Sequence, residues 1–191
     1  MFLTQDTVQV LKNLASINQS LVIKEGKRLR SMSVMKNILV EADITEKFER
    51  DVAIYDLNQF LNCLSLIPGA ELMMEDNSIK ITDGTNSIDY RYSDPSVITS
   101  PPDKELNLPS EDVKFRLEAS ALQQLQRAAS VYQLPDLCLF GDGEKMNLCL
   151  TDKKNDTSNT YSIEVGTAED EFCYCFKVEN LKLLIGDYNV T

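Results

Sequence analysis

The sequence contains no histidine, and this absence removes most of the common catalytic centres. Without an imidazole there is no histidine general base, and neither a Ser–His nor a Cys–His nucleophile pair can form. Glycine-rich phosphate-binding loops are also absent, and the seven glycines fall mostly at turns. The carboxylate pairs Glu41/Asp43 and Asp51/Asp56 are explained more simply as strand-edge and helix-cap residues. We therefore expect a protein that is not an enzyme and binds no cofactor.

Long apolar runs are lacking as well. No stretch of the chain is apolar for long enough to span a bilayer. The first six residues show no charged segment followed by an apolar one, which is the pattern of a secretory signal. These features predict a cytosolic protein that does not contact a membrane.

The cysteines do not form the spacing of a metal or redox motif. None lies in a Cys-x-x-Cys pair, and a chain without histidine could supply a zinc ligand set only awkwardly. The favoured interpretation is small buried hydrophobic side chains in a reducing compartment. Cys173 and Cys175 alternate around Tyr174, so both should point to one face of a strand. The five are Cys63, Cys138, Cys149, Cys173 and Cys175.

Acidic residues are missing from the predicted helices. An even spread of the 30 acids would place about nine in these segments, yet they contain none, and they include Lys12, Arg127 and Lys182. One interpretation is a surface that must tolerate a polyanion. The other is short amphipathic helices whose exposed faces happen to be Asn, Gln and Ser. The predicted helical cores are Thr7–Ile23, Leu57–Ala70, Ala119–Pro135 and Asn180–Gly186.

The chain as a whole is acidic, with a formal net charge of −11 and a pI near 4.5. Residues 1–50 hold eight basic against six acidic residues, and residues 51–191 hold eleven against twenty-four. Such a balance argues against a generic nucleic-acid binder with a basic coat. Any binding to a polyanion should therefore use a restricted surface.

The order of predicted elements occurs twice. The first half begins with a helix for which Asp6 is the expected N-cap, and a strand-like run at Leu21–Lys24 is followed by a hairpin turn at residues 25–27. Leu11 with residues 15–17 matches Leu125 with residues 129–131, and Asp56 with residues 60–61 matches Glu179 with residues 183–184. The second copy is the shorter, by about two strands. We therefore expect a second domain that is incomplete at its C-terminus and a chain that assembles poorly unless it continues beyond Thr191.

A proline-rich segment separates the two halves and predicts an extended linker, because its three prolines disfavour helix and central strand. The expected division is residues 1–99 as the first domain, 100–112 as the linker and 113–191 as the second domain. Leu106 and Leu108 in the linker have two interpretations. They could pack on the sheet beneath, or they could frame a groove for a partner peptide.

Three stretches resemble the sliding clamps of contractile-tailed bacteriophages: DTVQVLKNLASIN at residues 6–18, DVAIYDLNQFL at 51–61 and LQQLQR at 122–127. The resemblance implies an α+β DNA-clamp (processivity) fold, with two similar domains of antiparallel sheets and two helices per domain lining a ring lumen. Three subunits would encircle duplex DNA and tether the replicative DNA polymerase. The resemblance also implies loading by an ATP-driven clamp loader, a role in phage late transcription, and a location in the cytoplasm of the infected bacterial host cell.

The resemblance assigns roles to two sets of residues. It implies that Lys12, Arg127 and Lys182 face DNA in the lumen. It also implies a pocket between the domains for the extended C-terminal tail of the polymerase. The linker residues bordering that pocket would be Pro101, Pro102, Leu106 and Leu108.

The chain departs from the pattern of the family that it resembles at Gln5 and Ser130, where some members carry a basic residue. Arg28, Arg30 and Lys36 lie on predicted strands and are expected on a solvated outer face. The alternative function is an acidic, non-ring protein-interaction scaffold or DNA mimic. That function predicts acids on the helices as well as in the loops.

Overall fold

The computed structural model describes residues 1–104 and 110–191. The contacts between residues cluster into two compact units, Met1–Glu105 and Leu106–Thr191. Among the described residues, the helices are too short and too polar to span a lipid bilayer.

The first unit combines two α-helices with three small antiparallel sheets. The sheets pair β1 with β4, β2 with β3, and β5 with β6 and β7. The elements in chain order are α1 (Gln5–Ile17), β1 (Leu21–Ile23), β2 (Gly26–Met32), β3 (Leu39–Phe48), β4 (Val52–Ile54), α2 (Leu57–Leu66), β5 (Glu71–Met74), β6 (Ser78–Thr82) and β7 (Ser87–Arg91). A 3-10 helix, Pro95–Val97, follows.

The core of the first unit forms where α1 and α2 lie side by side against the strands. Leu11 and Leu14 of α1 are buried together with Leu57 and Phe60 of α2. Their spacing of three residues places each pair on one helix face, which is the amphipathic pattern that drives helix docking. Phe60 also makes an edge-to-face contact with Tyr90 of β7, with ring centroids 5.3 Å apart.

The second unit packs one α-helix on a four-stranded antiparallel sheet of order β11-β10-β9-β12. A separate pair joins β13 to β8, with Tyr188 opposite Leu117. Leu122 and Leu125 of α3 belong to the same buried cluster as Leu148 and Leu150 of β10. The elements are β8 (Phe115–Leu117), α3 (Ala119–Tyr132), β9 (Asp136–Asp142), β10 (Lys145–Thr151), β11 (Tyr161–Thr167), β12 (Glu171–Lys177), a 3-10 helix (Val178–Asn180) and β13 (Tyr188–Val190).

The two units repeat one arrangement. In each, a helix is followed by four strands, and the first of these strands pairs with the fourth while the second pairs with the third. In the second unit the first and second strands are also hydrogen-bonded, which merges the pairs into one sheet. In the first unit the corresponding strands β1 and β2 are only in contact. The hairpin expected between β1 and β2 was therefore wrong, because β1 pairs with β4 instead.

The first helix is shorter than predicted. It ends at Ile17 because Asn18 adopts an extended backbone, and its buried side chain donates to the carbonyls of Met32 at 2.9 Å and Thr99 at 3.1 Å. The side-chain oxygen of Asn18 also accepts from the Ser20 amide at 3.0 Å. These bonds satisfy a polar side chain that the helix would have left buried without partners. Residues 21–23 are thereby free to pair as β1.

The predicted fourth helix at Asn180–Gly186 is wrong. The 3-10 helix stops at Asn180, and residues 181–186 have no regular structure before β13 begins. A seven-residue helix is marginal because few hydrogen bonds repay its nucleation. Pairing of β13 with β8 gives three residues of each strand a backbone partner at once, and the chain forms this strand pair instead of the helix. The matching of Asp56 and Phe60 with Glu179 and Leu183 fails with it, since Phe60 is fully buried and Leu183 is exposed.

Candidate nucleic-acid interface and apolar pocket

The first exposed helix face belongs to α1. Its N-cap is Thr4, whose side chain accepts from the Thr7 amide at 3.3 Å, so the prediction of Asp6 as the cap was wrong. Asp6 lies instead in the first turn, where the positive end of the helix dipole favours an acid. The solvent-facing stripe of α1 consists of Gln5, Gln9, Lys12 and Ser16.

The second exposed face belongs to α2. Asp56 caps this helix, with its carboxylate accepting from the Gln59 amide at 2.9 Å. Leu57 and Phe60 are buried, and the positions between them turn outward. The exposed residues of α2 are Asn58, Gln59, Asn62, Ser65 and Leu66. This face carries no ionisable side chain.

The third exposed face belongs to α3. Glu118 at the cap position makes no capping bond, and the carboxylate of Asp187 takes its place by accepting from the Ala119 amide at 2.8 Å. That bond, followed by the bond from Arg116 at 2.7 Å, lowers the pKa of Asp187. The polar exposed stripe of α3 is Ser120, Gln123, Gln124, Arg127 and Ser130.

The charge of these faces differs from that of the rest of the chain. The three α-helices contain one acid, Asp6, and two bases, Lys12 and Arg127, both exposed. Within the part of the chain that the structure describes, no carboxylate pairs with either base, and every ion pair joins residues outside the three helices. The helix surfaces are therefore the part of this acidic protein best suited to approach a polyanion.

Lys182 does not lie on a helix, so that part of its assignment was wrong. It is exposed in the irregular segment after the 3-10 helix. This segment lies against α3, because the Gln126 side chain donates to the carbonyl of Leu183 at 3.4 Å. Lys182 is thus held beside α3 by a tertiary contact.

The bases on β2 differ from those on the helices. Arg28 pairs with Asp43 at 3.0 Å, and Arg30 pairs with Glu41 at 2.6 Å. Lys36 lies in the turn between β2 and β3 with a positive φ of 58°, so its predicted place on a strand was wrong. Opposite charges on neighbouring strands neutralise one another, which is typical of a solvated sheet surface.

The second unit contains an apolar cavity of about 450 Å³ on the sheet face that carries Tyr174 and Phe176. Sequence reasoning missed its lining, because the pocket combines residues that are up to about 80 positions apart in the chain. Of the predicted pocket residues, Leu106 and Leu108 lie outside the described residues, whereas Pro101 and Pro102 belong to the first unit and do not line this cavity. The lining consists of Ser110, Asp112, Val113, Phe115, Leu117, Leu139, Leu148, Tyr174, Phe176, Leu181, Leu183, Val190 and Thr191.

Pro102 has a defined contact of its own. Its carbonyl accepts from Nη1 of Arg30 at 2.9 Å, which fixes the start of the proline-rich segment to β2. Arg30 thereby holds both Glu41 and the backbone of residue 102.

The cysteines also differ from expectation. Cys138 and Cys175 form a disulfide, and Cys173 is exposed, so the prediction of free, buried cysteines was wrong for these three. The prediction that Cys173 and Cys175 share a strand face is confirmed, since their sulfur atoms lie 3.7 Å apart. Sequence spacing could not reveal the pairing with Cys138, which depends on the register of β9 against β12.

Comparisons with known proteins agree with the geometry. The family model for DNA polymerase processivity factors matches residues 4–100. The sliding clamp of Vibrio phage KVP40 is 33% identical over 199 residues, covering all of this chain and 90% of the relative. The sliding clamp of Enterobacteria phage T4 is 32% identical over 197 residues, covering all of this chain and 86% of the relative.

Solved structures show the same fold at low sequence identity. PCNA of A. fulgidus, solved with the C-terminal region of FEN-1, superimposes with a TM-score of 0.68 at 18% identity, covering 95% of this chain and 80% of that one. PCNA of Thermococcus kodakaraensis gives a TM-score of 0.66 at 17% identity, covering 97% and 86%. The fold is that of DNA clamps, and the chain belongs to the DNA polymerase processivity factor family, the sliding clamps of T4-like bacteriophages.

Proposed function

We propose that the chain is one subunit of a ring that encircles duplex DNA, with the exposed faces of α1, α2 and α3 turned toward the duplex. One observation carries this proposal. On a chain of net charge −11, those faces present a single acid, and Lys12 and Arg127 have no carboxylate partner among the described residues. Contacts from such bases go to phosphates and are independent of base sequence, which permits sliding.

The rest of the proposal follows from membership of the clamp family. The ring is a homotrimer of head-to-tail subunits, in which residues 1–99 and 113–191 act as the two domains and residues 100–112 as the linker. An ATP-driven clamp loader places it on DNA in the cytoplasm of the infected bacterial host cell. The ring then tethers the replicative DNA polymerase and supports late-transcription factors.

The alternative, an acidic scaffold or DNA mimic, is disfavoured by the same observation. A protein that imitates DNA must present carboxylates in place of phosphates on its binding face. In the described part of the chain, the acids lie on strands and in loops, and many are neutralised by neighbouring bases, as in the pairs Arg28–Asp43 and Lys145–Glu164. The helices retain only Asp6.

Charge reversal tests the DNA-facing assignment. The triple variant Lys12→Glu, Arg127→Glu, Lys182→Glu should lose processive synthesis at low salt, because each substitution replaces a phosphate-attracting charge by a repelling one. The measurement is product length on a primed template with polymerase and clamp loader. Each exposed substitution should change the free energy of unfolding by no more than about 0.5 kcal/mol.

A matched control keeps the net charge of the two proteins equal. Lys27→Glu, Lys47→Glu, Lys154→Glu also reverses three exposed bases, and these lie on β2, on β3 and in the loop after β10. The control should support near-normal product length. If both triple variants perform alike, or if the helix variant matches the unmutated protein at low salt, α1, α2 and α3 do not face the duplex.

The apolar cavity of the second unit is the site that we propose for the C-terminal tail of the polymerase. Its mouth exposes Tyr174 and Phe176, which are 44% and 52% exposed and offer large apolar surface to an extended peptide. Aromatic side chains in such positions commonly contribute most to binding. The linker residues Pro101, Pro102, Leu106 and Leu108 are proposed, separately from this cavity, to contact the polymerase tail.

Peptide-binding measurements on variants test the cavity and the linker independently. A fluorescent peptide with the polymerase C-terminal sequence should bind at least about tenfold more weakly to Phe176→Asp, because a carboxylate would be desolvated by the peptide. The double variant Leu106→Asp, Leu108→Asp should also weaken binding. Met35→Asp, at an exposed position in the first unit, is the control and should bind normally. Normal binding to Phe176→Asp would exclude the cavity, and normal binding to the double variant would exclude the linker.

A further inference from the structure

The outward positions of the second unit's sheet carry an unusual set of side chains. Cys149 on β10, Cys138 on β9 and Cys175 on β12 lie opposite one another in a single row across three strands. Cys173 lies two residues before Cys175, so it shares the same face. Leu148 and Tyr174 point to the opposite face of the sheet, toward the core and the apolar cavity. Four cysteines therefore lie on the sheet face turned away from the core, where polar residues are usual in an antiparallel sheet.

Three of these sulfur atoms converge. The Sγ atoms of Cys138, Cys173 and Cys175 all lie within 4.8 Å of one another, and those of Cys173 and Cys175 are 3.7 Å apart. The cluster opens into a cavity of about 360 Å³, so a small ion can reach it from solvent. Burial varies across the group: Cys138 is buried, Cys175 is half-buried and Cys173 is exposed.

We propose that, when the Cys138–Cys175 disulfide is reduced, Cys138, Cys173 and Cys175 bind one thiophilic divalent metal ion, with Zn²⁺ as the best fit. Thiolates are the ligands that Zn²⁺ prefers among those available here, with Zn–S distances of about 2.3 Å in tetrahedral geometry. Tetrahedral bonds of that length place neighbouring sulfurs roughly 3.8 Å apart. The Cys173–Cys175 separation already matches this value. The fourth position stays open to water.

The reduction of the disulfide and the binding of the metal are both balanced chemical steps. A dithiol or phosphine reductant supplies two electrons, and with two protons from water the disulfide becomes two thiols. Binding of Zn²⁺ to three thiolates then releases the thiol protons, so the affinity should increase with pH. Reduction is the normal condition of cytosolic cysteines. The metal would hold β9 and β12 together in the state in which the disulfide no longer does.

Cobalt provides the direct test. Full-length protein is reduced with a phosphine, freed of reductant without oxygen, and titrated with Co²⁺, whose thiolate complexes absorb in the near ultraviolet. We expect that absorption to saturate at one equivalent, together with the visible bands of tetrahedral cobalt, and to disappear when Zn²⁺ is added. Zinc should also protect about three of the five thiols from a thiol-reactive reagent.

Single variants identify the ligands. Cys138→Ser, Cys173→Ser and Cys175→Ser should each weaken Co²⁺ binding by more than about tenfold. Cys63→Ser, which removes a half-buried cysteine of the first unit, is the control and should bind normally. Circular dichroism establishes that each variant is folded. Absence of a saturable thiolate band in the reduced protein, or an unchanged band in Cys173→Ser, would overturn the proposal. Neither result would affect the proposed clamp function.

Discussion

Glu46 shows how a single side chain fixes the start of the first helix. Its carboxylate accepts from the Thr7 hydroxyl at 2.5 Å and from the Thr4 amide. Burial raises the pKa of Glu46, but the bonds from Thr7 and Thr4 together outweigh burial, and the net pKa lies below the ordinary glutamate value. The carboxylate therefore supplies an acceptor for an amide that the helix itself leaves unpaired.

The substitution Thr7→Val tests this arrangement. It keeps the shape of a side chain that is only 2% exposed but removes one donor to a carboxylate, so it should lower the free energy of unfolding by about 1–2 kcal/mol at pH 7. Urea denaturation measures the change. Thr45→Val, at an exposed position on β3, is the control and should change the free energy of unfolding only slightly.

The effect should depend on pH in one direction. Because the folded pKa of Glu46 is lowered, its contribution to stability is complete above the unfolded value of about 4.3 and is lost as pH falls through the folded pKa. The difference in free energy of unfolding between the unmutated protein and Thr7→Val should therefore be smaller at pH 3 than at pH 7. An equal gap at pH 3 and pH 7 would show that the missing bond does not involve the charged carboxylate.

At the scale of elements, the sequence predicted structure best where the signals were local. The start of α2 follows from Asp56 and the apolar residues Leu57 and Phe60 after it, and the cap and the helix are both present. The extent of α3 was predicted to within three residues because Leu122 and Leu125 mark one apolar face. Neither inference needed contacts from distant parts of the chain.

Prediction failed where a distant contact decided the structure. Residues 181–186 have a helical apolar pattern, yet the strand that follows must reach β8, more than 70 positions earlier in the chain. The disulfide also depends on a distant contact, because it requires the β9–β12 register. The apolar cavity does so too, because its walls come from five strands and two loops. Lys12 and Arg127 could be named from the sequence, but the absence of carboxylate partners in the described residues could not.

Gly141 of β9 has no room for a side chain. A Cβ atom there would lie 2.6 Å from the ring of Phe172 and 2.8 Å from the carbonyl of Asp170. Gly141→Ala should therefore displace the Phe172 ring and the backbone just before β12, and lower the free energy of unfolding by about 1–3 kcal/mol. Thermal denaturation followed by circular dichroism gives the value. Gly186→Ala, whose new methyl group would meet no atom closer than 3.9 Å, should be nearly neutral, and equal effects at both positions would contradict the steric explanation.

At the scale of the whole molecule, charge is sorted by element. The net charge of −11 should repel DNA at long range, and the helix faces proposed to contact the duplex would relieve that repulsion only at short range. Under the proposed function, free subunits should bind DNA weakly and depend on active loading. Gln5 and Ser130, both exposed on helices, are neutral and add no positive charge to these faces.

Salt dependence measures how many of these charges interact with phosphate. For the loaded clamp, the logarithm of the retention constant on DNA should fall linearly with the logarithm of salt concentration. Replacing Lys12 and Arg127 by Gln should flatten that slope by about one unit for each base that neutralises a phosphate in the unmutated clamp. Lys27→Gln with Lys47→Gln serves as the control and should leave the slope unchanged. A slope that is the same in both variants would place Lys12 and Arg127 away from the backbone of the duplex.

The neutral faces also make the protein vulnerable to slow chemical ageing. Asn58 and Asn62 are exposed on α2, and hydrolysis of either amide yields a carboxylate on a surface that otherwise has none. The buried residues Leu57 and Phe60 would be untouched, so an aged preparation would keep its melting temperature. On the proposed DNA-facing surface, each deamidated side chain would nevertheless add a negative charge that repels phosphates. A long-stored preparation would then bind DNA more weakly, although its melting temperature stayed the same.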